Sequence, residues 1–242
     1  ESGNTAMAKN LLYIINPLEI TPISQVRAQT EVGYKYTIEG PVTSNASGYD
    51  KDTAFFDCIY VQDETAGVNC FPVAGEFKVG DVVRVKGLTE FYIGELELQV
   101  QSIEKIGETE PLAPVEITAS QLNDRSAEGS LITLKGYVVN YTMANGMVES
   151  IYIIDEEGVI GRAFIDGYIP NTNEVKDLAV GKAISVTGIA SYDNTYAIEH
   201  DSYARIRVRD RADIIAEPMD IHKLYANKAE RQEKVLELMA KV

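Results

Sequence analysis

His200 sits in Glu199-His-Asp201 and is one of only two histidines in the 242-residue chain. An imidazole between carboxylates is a common acid–base arrangement, but no motif places a nucleophile beside it. It reads as a solvated loop histidine, with a hydrolase built on His200 as the catalytic alternative. Asp50, Asp52 and Asp57 cluster in one stretch and offer oxygen ligands to a hard cation. The calcium-loop pattern fails there, because no Gly stands at the sixth place and Val61 falls where a bidentate Glu belongs. Asp63-Glu64 and Asp155-Glu-Glu157 read as turn acids. No Gly-rich phosphate loop, H-E-x-x-H, C-x-x-C or G-x-S-x-G occurs. The expectation is no catalytic residue, no metal and no cofactor.

The two cysteines, Cys58 and Cys70, flank one predicted hairpin. A turn over 64–67 places Cys58 opposite residues near 72 or 73. Two small buried thiols are the expectation, with a cross-strand disulfide as the alternative.

Net charge bounds the partners. Lys and Arg number 22 against 37 Asp and Glu, a formal charge of −15. Phosphate contacts supply most non-specific nucleic-acid affinity, so this balance disfavours DNA or RNA. Hydrophobic residues make up 45% of the chain, with 14 Tyr, 18 Gly and no Trp, a mix that suits a β-rich, turn-rich protein. No run approaches the roughly 20 apolar residues of a membrane-spanning helix, so no membrane insertion is expected. The chain begins at Glu1, which reads as a segment processed or excised from a longer one.

The elements that must position these side chains occur twice. Cys58-Ile-Tyr-Val-Gln-Asp63, an acidic turn ending in Gly67, and Val68-Asn-Cys-Phe71 form one predicted hairpin. Ser150-Ile-Tyr-Ile-Ile-Asp155, the turn to Gly158, and Val159 to Phe164 form its copy. Tyr60 matches Tyr152, Asp63 matches Asp155, and Phe71 matches Phe164. Lead-in segments precede both: Ile20 to Gly33 and Ile117 to Gly129, each with a short helical turn. Long strands with an internal Gly follow them, Tyr34 to Val42 and Leu131 to Val139, the second leading into a loop over Tyr141 to Val148. After the hairpins come Val79-Gly-Asp-Val-Val-Arg-Val-Lys-Gly87 and Val180-Gly-Lys-Ala-Ile-Ser-Val-Thr-Gly188, strands that Gly87 and Gly188 are expected to break. The last strands are Leu96 to Val100 and Ala204 to Val208.

The chain therefore divides into an N-terminal helix (1–19), a first five-stranded unit (20–108), a linker (109–116), a second unit (117–216) and a C-terminal helix (217–242). Internal duplication explains the pattern.

These motifs resemble the OB fold, the small five-stranded Greek-key barrel, and in particular the OB-type modules found in tandem in exported bacterial proteins. The resemblance implies an all-β chain of two tandem OB-like β-barrels with short terminal α-helices. It further implies an extracellular or cell-surface location, often beside a nuclease, phosphoesterase or other hydrolase domain. The OB binding surface is the face of the central strands with its adjoining loops. That surface implies Tyr49, Phe56, Tyr92, Tyr141, Tyr192 and Tyr196 as ligand-binding candidates, since aromatic rings stack on sugars or bases. Tyr60 and Tyr152 recur in both copies and read as packing. The expected function is a non-catalytic binding or spacer module that contacts a protein or glycan partner or a neighbouring domain. Single-stranded nucleic-acid binding as an accessory module is the alternative.

Overall fold

Alternating apolar and polar residues, punctuated by Gly-containing turns, make this an all-β chain. The structure, a computed structural model, describes residues 19–44, 46–47, 58–166, 175, 178–195, 203–216, 232–233 and 235–236. Strands β1 (Lys35–Pro41), β2 (Ala46–Ser47), β3 (Ile59–Gln62), β4 (Gly67–Phe71), β5 (Glu76–Phe77), β6 (Asp81–Tyr92) and β7 (Glu95–Glu108) come first. They are followed by β8 (Val115–Ile117), β9 (Leu131–Ala144), β10 (Met147–Ile154), β11 (Ile160–Phe164), β12 (Ala183–Tyr192), β13 (Ala204–Arg207) and β14 (Ile214–Ala216). Two five-residue helices, α1 (Ile23–Arg27) and α2 (Ala119–Asn123), fall on the predicted lead-in segments.

The first main sheet runs β1-β6-β7-β4-β3, with β4 and β7 parallel and the other neighbours antiparallel. An antiparallel bridge between Val42 and Val61 brings the end of β1 onto β3. The second sheet runs β14-β12-β13-β11-β10-β9-β8. There β9 also pairs with β12 over seven residue pairs, so β9-β10-β11-β13-β12 closes into a five-stranded barrel. In this sheet β11 and β13 are the parallel pair that corresponds to β4 and β7.

Strand alternation sends Ile38, Ile59, Val61, Val68, Cys70, Val83, Val85 and Leu98 into one core. Leu134, Ile151, Ile153, Ala163, Val186, Ile206 and Val208 fill the other. Each helix packs two apolar residues, Ile23 and Val26 or Ala119 and Leu122, onto its core.

The two matched aspartates explain why a helix this short forms at all. Asp63 Oδ2 accepts from the Ile23 amide at 2.8 Å, while its Oδ1 accepts from the amides of Thr65 and Ala66. Asp155 repeats the device: Oδ2 accepts from the Ala119 amide at 2.7 Å, and Oδ1 from the amides of Glu157 and Val159. One carboxylate thereby caps a helix start and closes a hairpin turn, satisfying donors that the first helical turn leaves open.

Several sequence expectations are corrected. Gly87 and Gly188 do not end their strands. Each lies mid-strand, where a Cβ would come within 2.8 Å of the Gln99 carbonyl or 2.5 Å of the Arg207 carbonyl. The missing side chain lets the neighbouring strand close in. Tyr141 to Val148 is not an open loop. It is a tight hairpin joining β9 to β10, with Asn145 and Gly146 at its tip, both at positive φ. The last strand of the first unit extends to Glu108 rather than Val100. In the first hairpin Ile59 pairs with Cys70, so Cys58 falls opposite Phe71 rather than 72 or 73. The thiols then point to opposite faces of the sheet, and both are free and buried. The N-terminal helix over 1–19 lies almost wholly outside the described residues. Of the C-terminal helix, 232–233 and 235–236 are described and are helical. Among the described residues, no helix is long and apolar enough to cross a membrane.

Candidate functional site

The strands that pair in parallel at the centre of each sheet turn their outer faces toward each other. Strand period decides which residues do this. Residues 59, 61, 68, 70, 96 and 98 point inward, so Tyr60, Asn69, Glu95 and Glu97 point out, toward the second sheet. In that sheet Ile151, Ala163 and Ile206 point inward, while Arg162, Phe164, Arg205 and Arg207 point out toward the first.

The seam between the sheets is polar and closely fitted. Glu95 is fully enclosed at its centre: the Tyr60 hydroxyl donates to Oε1 at 2.7 Å, and the Ser191 hydroxyl donates to Oε2 at 2.7 Å. Around it the Leu131 amide donates to Gln62 Oε1 at 2.7 Å, and Arg125 donates to the Gly94 carbonyl at 2.7 Å. Arg27 pairs with buried Glu128 at 2.8 Å, and Arg209 donates to the Thr43 carbonyl at 2.9 Å. Gly67 and Gly129 meet backbone to backbone; a Cβ on either would fall within about 2 Å of the other's carbonyl oxygen.

Beside Glu95 the seam opens into a cleft of about 470 Å³. Glu97, Asn69 and Phe71 line it from one side, and Phe164, Arg205 and Arg207 from the other, with Tyr92, Asp166 and Asp193 around them. Each guanidinium has an acid of its own. Arg205 holds Asp193 at 2.8 Å and lies 4.7 Å above the Phe164 ring; Arg207 faces Asp166 at 3.6 Å. Asn69 Nδ2 donates to Glu97 Oε2 at 3.3 Å, while its buried Oδ1 has no donor. Among the described residues, a wider depression of about 640 Å³ on the second sheet, bordered by Glu116, Lys135 and Ile215, has no buried side-chain polar atom lacking a partner.

Burial governs the titration of this cleft. It raises Glu95 and Glu97 above the usual carboxylate range, Glu97 to about 7, where the charges of Glu95 and Glu90 add to the effect and Arg207 opposes it. Burial also pushes both thiols up, Cys58 despite the nearby Arg207, so neither is a thiolate nucleophile at neutral pH. A carboxyl that keeps its proton longer when folded loses stabilisation as pH rises. The folded chain holds the Glu97 proton between about 4.5 and about 7, whereas the unfolded chain has released it. We expect urea stability to fall by about 1–2 kcal/mol across that window after discounting for solvent in the cleft, and the fall to shrink in Glu97→Gln. An unchanged pH profile in that variant would refute the assignment.

The sequence-derived candidates separate in the structure. Tyr92, at the end of β6, lines the cleft and is 62% exposed. Tyr192 packs instead: its ring carries the Arg125 guanidinium at 3.8 Å and meets Tyr203 edge-on. Tyr141, on β9, pairs with Ile151 of β10 and does not line the cleft. Tyr49, Phe56 and Tyr196 lie outside the described residues, as do His200, Asp50, Asp52 and Asp57. Glu95, Glu97, Asn69, Arg205 and Arg207 were not anticipated. The signal available for them was the spacing Glu95-x-Glu97 and Arg205-x-Arg207 on matched final strands, with charges of opposite sign.

No family model matches the chain, and no curated protein does. Among solved structures, it is similar to the hypothetical protein ygiW from E. coli at 14% identity, over 36% of this chain and 90% of that one, with a TM-score of 0.27. It is also similar to a murine DNA-binding protein solved with double-stranded DNA, at 9% identity over 75% of this chain and 97% of that one, with a TM-score of 0.36. Likenesses this distant carry no functional inference.

Proposed function

We propose that this chain is a non-catalytic binding module made of two tandem OB-like barrels, spanning 20–108 and 117–216. It belongs to an exported or cell-surface bacterial protein and contacts a protein or glycan partner or a neighbouring domain. One observation carries the reading: the central-strand faces, which in OB proteins receive a ligand, are turned onto each other and joined through Glu95. The ring order β1-β3-β4-β7-β6, with β4 and β7 parallel, supports the first barrel, and β9-β10-β11-β13-β12 supports the second. Such packing leaves a short cleft of mixed charge in place of a long basic groove, and single strands need the latter. Among the described residues, the cleft offers neither a thiolate nor a positioned hydroxyl nucleophile. The enclosed seam suits a unit that holds two barrels as one body, which is what a spacer or docking module requires.

Fluorescence anisotropy with a labelled single-stranded oligonucleotide, at low and at physiological salt, tests the reading. No binding is expected even at low salt. Tight binding that collapses as salt is added would overturn the proposal in favour of an accessory nucleic-acid module.

A further inference from the structure

We propose that the cleft between the two sheets binds a small molecule through a primary ammonium group, received by Glu97 and by Oδ1 of Asn69, with Phe71 and Tyr92 against its carbon body. The inference rests on the reading of the chain as a binding module and gives that module a ligand chemistry.

The argument begins with unmet acceptors. Four carboxylates, Glu95, Glu97, Asp166 and Asp193, face two guanidinia, Arg205 and Arg207. Arg205 is taken by Asp193 and Arg207 faces Asp166. Glu95 is saturated by the hydroxyls of Tyr60 and Ser191 and the amide of Tyr192. Among the described residues, Glu97 receives only the 3.3 Å contact from Asn69. That contact fixes the orientation of the amide. Above its raised pKa of about 7 Glu97 is ionised and only accepts, so Asn69 turns its NH₂ toward Glu97, which leaves Oδ1 without a donor. Asn69 is 6% exposed, too enclosed for bulk water to compensate freely.

The unmet acceptors of the cleft are therefore one carboxylate and one amide oxygen, in a partly desolvated site. A primary ammonium brings three N–H donors and a positive charge at contact distance, where Arg207 acts on Glu97 only from further off. An anion would meet the Glu97 charge, and a neutral hydroxyl would leave that charge uncompensated. Phe71 is 40% and Tyr92 62% exposed, so both offer ring faces to a cation or to the apolar body behind it. The cleft volume lies within the usual range of small-molecule sites.

The test uses benzylamine, benzyl alcohol and benzoate as probes at pH 7.5, with calorimetry and the side-chain amide resonances of Asn69 as readouts. Benzylamine should bind saturably, with Kd on the order of 1 mM for so small a molecule, and should shift the Asn69 resonances. Glu97→Gln should weaken it at least tenfold. Tyr92→Ala, at a 62% exposed position, should weaken it severalfold and keeps the test open if Glu97→Gln does not fold. Failure of benzylamine to saturate would overturn the proposal. So would equal binding of benzyl alcohol or benzoate, or unchanged affinity in both variants. These outcomes are separate from the oligonucleotide experiment: single-strand binding removes the functional reading, whereas a benzylamine failure removes only this ligand assignment.

Discussion

Gly67→Ala should unfold the protein or separate its two halves, at a cost of more than about 4 kcal/mol. The first hairpin turn and the loop before β9 touch here through bare backbone. A Cβ on Gly67 would lie 2.0 Å from the Gly129 carbonyl oxygen and 2.5 Å from its carbon. Neither atom belongs to a side chain that can rotate away, so the two backbones must part by more than 1 Å. Parting them breaks what surrounds the contact, including the Leu131 amide to Gln62 bond and the Arg27–Glu128 pair. Gly129→Ala should be at least as damaging, because its φ of +85° adds left-handed strain to the same clash. Gly107→Ala is the control: a Cβ there meets only the Val82 side chain at 3.9 Å, and stability should hardly change. Urea unfolding of the three variants decides the matter. A Gly67→Ala midpoint equal to that of Gly107→Ala would show that the close approach is not part of the folded state.

That contact also marks how far the sequence can be read. The hairpins, the lead-in helices and the shared aspartates were legible because local rules produce them. A Gly-containing turn after an alternating strand needs no knowledge of the rest of the chain. The facing of the two sheets was not legible, since it depends on which side of each strand meets a distant partner. The aromatic residues drew attention because OB proteins use that face for ligands. Here the outward face of the central strands is spent on the seam, so Tyr192 became a packing residue and, among the described candidates, only Tyr92 stayed beside the cleft. A trace of the arrangement was nonetheless written in the matched strands. Asn69 pairs with Glu97 where the second copy has Arg162 beside Arg205, and Phe71 pairs with Gln99 where Phe164 pairs with Arg207. An acid in one copy thus stands where the other has a base. Opposite charge at matched outward positions, Glu97 against Arg205, is what two sheets facing each other require.

Glu95→Ala should cost about 3–5 kcal/mol. The carboxylate is fully enclosed, and removing it leaves the Tyr60 and Ser191 hydroxyls buried without their acceptor. Burial disfavours its charge, yet these donors hold it in place, so the group is costly to keep and costlier to remove. It also anchors a strained turn. Ile93, a β-branched residue, has φ of +47°, followed by Gly94 at +86°. The second half grips this turn at three points: Asn194 donates its amide to the Ile93 carbonyl, Arg125 donates to the Gly94 carbonyl, and Ser191 donates to Glu95. Tyr60→Phe and Ser191→Ala each remove one donor while leaving the carboxylate in place, and each should cost about 1 kcal/mol. A double-mutant cycle between Tyr60→Phe and Ser191→Ala should show coupling, because both hydroxyls hold one group. If Glu95→Ala falls within about 0.5 kcal/mol of the parent, the seam is held by the glycine contact and the peripheral arginines alone, and the central carboxylate has no structural part in joining the two sheets.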